Sequence, residues 1–351
     1  MRIAHLTWSM GIGGIQTMLA GIASIQAQMG HDVAIFILDN RIDDSIMSKL
    51  DPMVKVFCFG RTRGTLALTP FIKLNWQLWR FSPDIIHSHS GKLSKAVFSR
   101  VPMVATLHGM NRNPAVFSSY AKCFAISESV KNDFLQRGYA SDVRVIENGI
   151  PCEEIRCKDC YELGDTIHIV QVSRISFSPK RQDLAVTALS IIKKHSLNRK
   201  VMLHFIGDGP DACQLKEMVQ DLGVEDAVVF EGPKDRKWVF EHLRDYDLFL
   251  QPSDNEGFGL TVAEACAAKL PVLVSDVDGP MEIIDGGRLG MVFKHGDAKD
   301  LAGKICEFIQ GGYPLSKIKG AYENTLREYD IATTTRRYVR EYEKVINSKK
   351  R

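Results

Sequence analysis

The sequence predicts an α/β protein that is built from two doubly wound parallel-sheet domains. Short apolar segments rich in Val, Ile and Leu alternate with longer amphipathic segments along the whole chain of 351 residues. Nearly continuous apolar strands of this kind occur in parallel sheets that helices cover on both faces. A chain of this length also corresponds to about two domains of ~150 residues each.

Two series of strands follow one another, separated by the polar stretch 151–165. We predict strands over residues 2–7, 33–38, 54–59, 84–87, 103–107, 122–126, 143–146, 166–172, 201–206, 227–230, 247–250, 271–274 and 291–293, and helices over 15–29, 127–137 and 321–350. The predicted domains are 1–155 and 165–330, followed by a C-terminal helix over 331–351. Packing of that helix on the N-terminal domain is one option.

The composition is that of an ordinary globular protein, with 45% hydrophobic and 25% charged residues. It excludes a disordered chain, a collagen-like repeat and a small disulfide-stapled scaffold. The net charge of +3 is uneven, because residues 52–127 contain ten Lys and Arg but a single acid, Asp84. This excess indicates an anionic partner: nucleic acid, an anionic membrane surface or an anionic small substrate.

No apolar segment reaches the ~20 residues of a membrane-spanning helix, and the N-terminus lacks the features of a signal peptide. We therefore expect a cytoplasmic protein whose cysteines stay reduced. Cys152, Cys157 and Cys160 have the spacing of one iron–sulfur class. A fourth thiolate is not close in sequence, since Cys213 lies beyond a predicted strand and helix, so we favour cysteines without a metal.

The first strand is followed by a glycine-rich turn that contains Gly11, Gly13 and Gly14. Glycines before a helix let backbone N–H groups approach an anion at the helix N-terminus. The turn is close to a dinucleotide fingerprint, although Gln16 stands where a third glycine is expected, and Asp39 ends the second strand as a ribose-binding acid would. A tight turn without a ligand is an equal alternative.

Two cations follow the first strand of the second series. Arg174 lies at the strand end, and Ser178 with Pro179 predicts an N-cap followed by proline in the first helical turn. Lys180 is thereby placed at the start of the next helix. A guanidinium and an ammonium beside a helix N-terminus suit a diphosphate, whereas either cation alone is usually a solvated surface charge.

The segment 251–276 contains two glutamates, Glu256 and Glu264, with seven residues between them. Glu264 has an explanation without a ligand, because Thr261 and Glu264 have the spacing of a capping box. That explanation covers neither Glu256 nor the two glycines that flank Phe258 directly before a helix. These residues favour a phosphate at the helix N-terminus, with the carboxylates on sugar or ribose hydroxyls.

This loop resembles the E-x7-E motif of the retaining glycosyltransferases of family 4, whose GT-B fold has two facing Rossmann-like domains. Other segments resemble the family in the same order, so that the similarity covers nearly the whole chain: GIGGIQ, TLHG, SRI…PKRQDL, IGDGP and EGFGLTVAEA. E-x7-E alone is a weak signal. The ordered set, with Arg174 and Lys180 six residues apart, is a specific one.

The resemblance implies a role for each matching residue. Arg174 and Lys180 would hold the donor diphosphate and stabilise the leaving nucleotide, while Glu256 would bind hydroxyls of the donor sugar. Glu264 would bind the ribose, and His108 would contact the donor sugar from across the cleft. The remaining donor-binding residues would be amides facing the phosphate and sugar (Phe258, Gly259, Leu260, Thr261), glycines over the diphosphate (Gly13, Gly14) and residues bordering the base (Gly207, Gly209, Glu231, Gly232).

Two features lie outside this pattern. Residues 276–284 read DVDGPMEII where many family members carry G-G-x-P-E, so the following helix is expected to be set differently, with an effect on sugar specificity. His87 and His89 share one side of a strand, as zinc ligands would, but the sequence shows no third ligand nearby. Enzymes of this family generally need no metal, and we expect no metal and no cofactor here, with a structural or acceptor-side role for these histidines.

The predicted function is a retaining transfer of a sugar from a nucleotide diphosphate donor, by preference a UDP-sugar, to a hydroxyl of a glycan acceptor. The first domain would bind the acceptor and the second the donor. A dinucleotide-dependent oxidoreductase is an alternative, but it leaves Arg174, Lys180 and the glutamate loop unexplained. A non-catalytic nucleotide-sugar-binding protein is a third option.

The basic stretch 52–127 includes a segment in which cations alternate with aromatic residues. They are Arg61, Arg63, Lys73 and Arg80 with Phe71, Trp76, Trp79 and Phe81. On an amphipathic helix these residues suit the interface of an anionic bilayer; a helix that packs its tryptophans into the first domain is an equal alternative. The bilayer interpretation implies a peripheral protein at the inner face of the membrane and a lipid-linked glycan acceptor, as in bacterial surface polysaccharide synthesis. Nucleic acid is disfavoured, because no binding motif accompanies the charge.

Overall fold

The computed structural model describes residues 1–11, 13–62, 64–65, 67–194 and 198–349. Two compact units divide the chain: unit 1 comprises residues 1–151 together with 329–351, and unit 2 comprises residues 152–328. Arg63, one of the predicted membrane-facing cations, lies outside the described residues.

The strands in chain order are β1 Arg2–Thr7, β2 Asp32–Asp39, β3 Lys55–Arg61, β4 Ile85–Ser88, β5 Met103–Leu107, β6 Lys122–Ala125, β7 Val143–Val145, β8 Thr166–Val172, β9 Lys200–Ile206, β10 Val228–Gly232, β11 Leu248–Gln251, β12 Val272–Ser275 and β13 Met291–Phe293. The helices are α1 Gly14–Gln28, α2 Asp44–Met47, α3 Thr69–Phe81, α4 Glu128–Gln136, α5 Phe177–Lys180, α6 Gln182–Lys193, α7 Ala212–Asp221, α8 Arg236–His242, α9 Leu260–Ala267, α10 Asp278–Ile283, α11 Ala298–Gly311, α12 Leu315–Glu328 and α13 Ile331–Lys349.

Each unit contains one parallel sheet. In unit 1 the strand order is β3-β2-β1-β4-β5-β6-β7, and in unit 2 it is β10-β9-β8-β11-β12-β13. Chain order reverses beside the first strand of each series, which is the arrangement of doubly wound sheets that bind ligands beyond the carboxyl ends of their strands. The predicted α/β class with two parallel-sheet domains is confirmed.

All thirteen predicted strands lie within two residues of strands in the described part of the chain. They were predictable because strands covered on both faces are apolar along their whole length. The central strand β1 is an example, since five of its six residues are buried.

The C-terminal segment differs from the single helix that the sequence predicts over 321–350. The carbonyl of Tyr329 accepts a hydrogen bond of 2.8 Å from the N–H of Ile150, and the N–H of Ile331 donates one of 2.9 Å to the carbonyl of Ile150. This pairing interrupts the helix between α12 and α13. The second part, α13, belongs to unit 1, where Tyr338 and Tyr342 are buried in the core.

The polar stretch 151–165, predicted as a linker, belongs to unit 2 from residue 152 onward and is bonded to other parts of that unit. The N–H of Arg156 donates to the carbonyl of Phe240 at 3.0 Å, and the N–H of Lys158 donates to the carbonyl of Ala268 at 2.8 Å. Among the described residues, no helix is both long and apolar enough to cross a membrane.

Candidate active site

The loop after β8, which contains Arg174, is fixed by hydrogen bonds from one buried glutamine, Gln182. Gln182 Oε1 accepts a hydrogen bond of 3.1 Å from the N–H of Ser176, and its Nε2 donates to the Arg174 carbonyl at 3.0 Å and to Ser173 Oγ at 2.8 Å. The Arg174 side chain is exposed, and within the described ranges it makes no ion pair. The backbone of Arg174 is thus fixed while its charge remains available for a ligand.

The predicted start of the helix after this loop is wrong. Ser178 is extended, with φ −124° and ψ 121°, and the turn α5 is preceded by Ser176 as its N-terminal boundary residue. The long helix α6 begins only at Gln182, after Arg181 in the left-handed conformation at φ 53°. Lys180 therefore lies on a separate single turn before α6, and its carbonyl accepts a hydrogen bond of 2.9 Å from Gln171 Nε2.

This turn brings Lys180 to the first glutamate of the motif. The ammonium of Lys180 donates a hydrogen bond to Glu256 Oε2, and the two side chains are 23% and 20% exposed. Gln251, at the end of β11, donates from Nε2 to the same carboxylate oxygen at 3.2 Å. A second link between the loops is the hydrogen bond of 2.9 Å from the Asp254 N–H to the Pro179 carbonyl. Lys180 and Glu256, 76 residues apart in sequence, are therefore one local group.

The loop with Glu256 leads into the N-terminus of α9. Gly259 precedes this helix at φ 99°, a conformation that favours glycine. The N–H groups of Leu260 and Thr261 point out of the first turn without intrahelical acceptors, which is the arrangement that binds anions. Gly279 packs directly beneath the loop, because a Cβ there would lie 2.4 Å from the carbonyl oxygen of Glu256.

The capping-box alternative for Glu264 is wrong. The helix boundary residue is Gly259, so Thr261 is already inside α9 and Glu264 lies beyond its first turn. Glu264 is 7% exposed, and its Oε1 accepts a hydrogen bond of 2.9 Å from Arg236 Nη2. Burial raises the pKa of Glu264 above its usual value, and the Arg236 charge opposes that rise.

Arg236 is a site residue that the sequence analysis missed. It is the first residue of α8, shortly after the end of β10, and its guanidinium lies 4.8 Å from the centre of the Phe240 ring. The rule that residues beyond strand ends form the ligand site would have selected it. Gln182 and Gln251 were also missed, because buried amides that position other groups carry no motif.

The other residues predicted in this unit have structural contacts that explain their type. A Cβ on Gly207 would lie 2.1 Å from the Ser173 carbonyl oxygen, and one on Gly209 would lie 2.1 Å from that of Ile175. These glycines allow the loop after β9 to pack against the Arg174 loop. Glu231 Oε1 is 3.1 Å from Nδ1 of His204. The contacts of these residues with a nucleotide stay a prediction.

In unit 1, Gly13 precedes α1 with extended backbone, and Gly14 is the first residue of the helix. The carboxylate of Asp39 is paired with Arg41. Both of its oxygens contact the guanidinium, and Arg41 Nη2 lies 2.8 Å from Asp39 Oδ2. It is also only 3% exposed. A carboxylate with these contacts is poorly suited to hold the ribose of a dinucleotide.

Three histidines of unit 1 are joined by hydrogen bonds, and the ring of a fourth, His87, packs against two of them. His108 Nε2 lies 3.1 Å from His89 Nδ1, and His89 Nε2 lies 3.2 Å from His5 Nδ1. His5 Nε2 lies 2.7 Å from Gln26 Oε1. His87 is bonded separately, to Tyr342 OH at 2.5 Å and to Thr106 Oγ1 at 2.7 Å.

His5 is the third imidazole that the sequence analysis did not find beside His87 and His89, and these three could approach one metal ion. All six of their ring nitrogens instead have hydrogen-bonding partners within unit 1. Burial lowers the pKa of His5 to about 4 and that of His108 to about 3, so the rings are neutral. A hydrogen-bonded network accounts for the cluster without a metal, and the contact of His108 with a donor sugar remains a prediction.

The charges around α9 can accept a diphosphate. Each glutamate of the motif has its own cation, Lys180 for Glu256 and Arg236 for Glu264. The carboxylates therefore do not repel a second anion as strongly as two isolated charges would. The N-terminus of α9 adds a partial positive charge beside these paired carboxylates, an arrangement that favours an anionic ligand.

Two family comparisons match this architecture in chain order. Residues 12–154 match Glycosyltransferase Family 4, and residues 162–324 match Glycosyl transferases group 1. The chain belongs to family 4 of the glycosyltransferases, and its fold is the GT-B fold. This membership sets aside the oxidoreductase alternative.

The chain is similar to several glycosyltransferases and to a solved structure that contains a nucleotide and a sugar. D-inositol 3-phosphate glycosyltransferase of Acidothermus cellulolyticus is 26% identical, over 90% of this chain and 82% of that protein. Lipopolysaccharide 1,6-galactosyltransferase of Escherichia coli is 25% identical, over 89% of this chain and 90% of that protein. The crystal structure of Anabaena Alr3699/HepE in complex with UDP and glucose is 20% identical with a TM-score of 0.77, covering 98% of this chain and 99% of that chain.

Proposed function

We propose that this chain transfers a sugar from a UDP-sugar to a hydroxyl of a lipid-linked glycan, with retention of the anomeric configuration. The observation that carries the proposal is the contact of Lys180 with Glu256 beside the N-terminus of α9. It combines a cation for a phosphate, a carboxylate for sugar hydroxyls and free backbone N–H groups in one place.

In the proposed reaction, the acceptor oxygen forms a bond to the anomeric carbon while the bond from that carbon to the β-phosphate oxygen breaks. The proton of the acceptor hydroxyl passes to the departing phosphate. Arg174 and Lys180 stabilise the negative charge that develops on the leaving group, and Glu256 orients the sugar through its hydroxyls. Glu264, held in place by Arg236, binds the ribose.

The donor and acceptor are supported by similar proteins. The Anabaena structure contains UDP and glucose, and the Escherichia coli relative acts, by its name, on lipopolysaccharide. A glycan anchored to a lipid would therefore be the acceptor, in the synthesis of a bacterial surface polysaccharide. The proposed mechanism needs no metal, because side-chain cations and the helix N-terminus face the diphosphate.

The test measures how much each of a set of nucleotides and nucleotide sugars raises the thermal unfolding temperature. The turnover of the nucleotide sugar that stabilises the protein most is then measured. A ligand at ~100 times its Kd adds about 2.7 kcal/mol of stability. UDP should protect the wild type and Glu256→Gln alike, because Glu256 is assigned to the sugar, but Glu256→Gln should lose turnover.

Lys299→Ala, an exposed cation on α11, is the matched control and should behave as wild type. Protection by a UDP-sugar without release of UDP, even with lipid-linked acceptors, would instead indicate a non-catalytic binding protein. Absence of protection by any uridine nucleotide would overturn the donor assignment.

A further inference from the structure

Helix α3 of unit 1 has an unusual outer face. Its inner side chains Pro70, Leu74, Leu78 and Phe81 are buried against the sheet. On the opposite side, Leu68 at the helix boundary, Ile72, Trp76 and Trp79 follow one another at helical spacing and are 70%, 66%, 54% and 76% exposed. The helix is apolar on both sides, and among the residues that the structure describes only the inner side is covered by the core of unit 1.

Phe98 extends this outer face and is 84% exposed. Its N–H donates a hydrogen bond of 2.6 Å to Asn75 Oδ1, while Asn75 Nδ2 donates one of 2.8 Å to the Ala96 carbonyl. Phe98 is therefore held next to α3. Among the large apolar side chains of the described residues, Phe98, Trp79, Leu68 and Ile72 are the four most exposed. The sequence alternative in which the tryptophans pack into the domain is wrong.

Unpaired cations surround the same face. Arg80 lies over the Trp76 ring at 4.8 Å. Lys73, Lys92 and Lys95 are exposed and have no acidic partner in the part of the chain that the structure describes. Two other cations of the basic stretch do have acidic partners: Lys55 pairs with Asp32, and Lys122 pairs with Asp142 and Glu341. Lys73 and Arg80 lie on α3, and Lys92 and Lys95 lie on the 3-10 turn Gly91–Ala96 that follows β4.

We propose that the outer face of α3, with Phe98, docks on the surface of an anionic lipid bilayer. A helix that lies in a membrane interface has this composition: aromatic and aliphatic side chains on one side, flanked by lysine and arginine. Tryptophan rings belong at that depth, and the long stems of the cations reach from it to the headgroups.

A second copy of this chain is a poorer partner for the same face. A two-fold interface places the same patch of both copies together, so Lys73 and Arg80 of one copy would face those of the other. Like charges brought together at an interface cost binding energy. Anionic headgroups instead provide the opposite charge.

The proposal goes beyond the proposed function, since binding to a bilayer requires neither a donor nor turnover. Its test is co-sedimentation of the full chain with two kinds of vesicle, phosphatidylcholine alone and equal parts of phosphatidylcholine and phosphatidylglycerol. We expect the wild type to sediment with the anionic vesicles, to be released as ionic strength rises, and to show blue-shifted tryptophan emission when bound.

Two sets of variants separate the apolar and the charged contributions. Trp76→Ser with Trp79→Ser should reduce partition at least tenfold, since both rings enter the interface. Lys73→Gln and Arg80→Gln should each reduce it about fivefold, at low salt only. Leu315→Ser, which removes an apolar side chain 61% exposed on α12 of unit 2, is the matched control and should bind as wild type.

All substituted side chains are exposed, so the thermal unfolding of each variant should match that of the wild type. Equal partition onto neutral and anionic vesicles, or partition onto neither, would overturn the proposal. A wild-type dimer in analytical ultracentrifugation that the tryptophan double variant converts to a monomer would also overturn it, since the face would then join two copies.

Discussion

Arg236 Nη2 donates a hydrogen bond of 2.9 Å to Oε1 of the buried Glu264, so the second glutamate of the motif carries its own counter-charge. The first glutamate has the same arrangement with Lys180. Two carboxylates can therefore lie next to a proposed diphosphate site, because each negative charge is balanced before the ligand arrives.

Arg236→Ala should lower the free energy of unfolding by roughly 3 kcal/mol near pH 8, because it leaves a buried carboxylate without a partner. The pKa of Glu264 is already above its usual value and should rise further in the variant. A carboxyl whose pKa is higher in the folded state binds its proton there as the pH falls. The deficit relative to wild type should therefore shrink between about pH 8 and pH 5 in urea unfolding.

Lys237→Ala is the control for this prediction, since its side chain is 78% exposed on the same helix. It should change stability by no more than ~0.5 kcal/mol. Arg236→Ala combined with Glu264→Gln should recover most of the loss at pH 8. A deficit of equal size at both pH values would contradict the pairing.

Gly279→Ala should disturb the glutamate loop. The added methyl would lie 2.4 Å from the carbonyl oxygen of Glu256 and 2.7 Å from the N–H nitrogen of Phe258, both of them backbone atoms that cannot turn away. We expect a loss of about 1–3 kcal/mol of stability and weaker protection by UDP. Gly303→Ala in α11 is the matched control: a Cβ there meets nothing within 4 Å, and alanine should gain about 0.5–1 kcal/mol.

Arg174→Ala should reduce turnover with little change in thermal unfolding, because the side chain is exposed and its loop is held by Gln182. Loss of one charged contact to the leaving group should raise the barrier by about 2–4 kcal/mol. Steady-state kinetics on a UDP-sugar measures the effect, with Lys299→Ala as the reference cation. Wild-type turnover in Arg174→Ala would remove this residue from the mechanism.

The histidine cluster should make unit 1 sensitive to acid. Burial lowers the pKa of His5 to about 4 and that of His108 to about 3. As the pH falls, the unfolded chain therefore binds more protons at these two residues than the folded chain does. The free energy of unfolding should therefore fall as the pH drops below about 6.5. NMR of histidine-labelled protein should show both rings neutral between about pH 8 and pH 5. A titration midpoint near 6.5 for either ring would contradict this prediction.

Strand positions were predictable because burial on both faces leaves a continuous apolar signal, as in β8, whereas contacts between distant segments leave none. Lys180 and Glu256 were both predicted as site residues, but their pairing depends on the single turn α5, whose left-handed Arg181 no pattern indicated. Glu264 was predicted with two explanations, and the position of Gly259 excludes the capping box. Arg236 had no motif of its own.

For the tryptophans of α3, the sequence predicted the helix but not which of its sides is buried. A stripe of aromatic residues predicts one face of a helix, but the sequence does not say whether that face is inside or outside. Leu74 and Leu78 occupy the inner side, and this leaves Trp76 and Trp79 outside. The histidine His5 was missed for a related reason, since only the pairing of β1 with β4 brings it next to His87.

Helix α13 lies after unit 2 in the sequence but supplies Tyr338 and Tyr342 to the core of unit 1. During synthesis, the seven strands of unit 1 are therefore made first. The last helix of that unit follows only after all of unit 2 has been synthesised. At ~5–20 residues per second, the delay between the strands and this helix is roughly 10–40 s. Phe124 and the rest of the surface that α13 covers stay open throughout this interval, so the second unit is complete before the first, and the nascent chain is most vulnerable to misassembly at its oldest part.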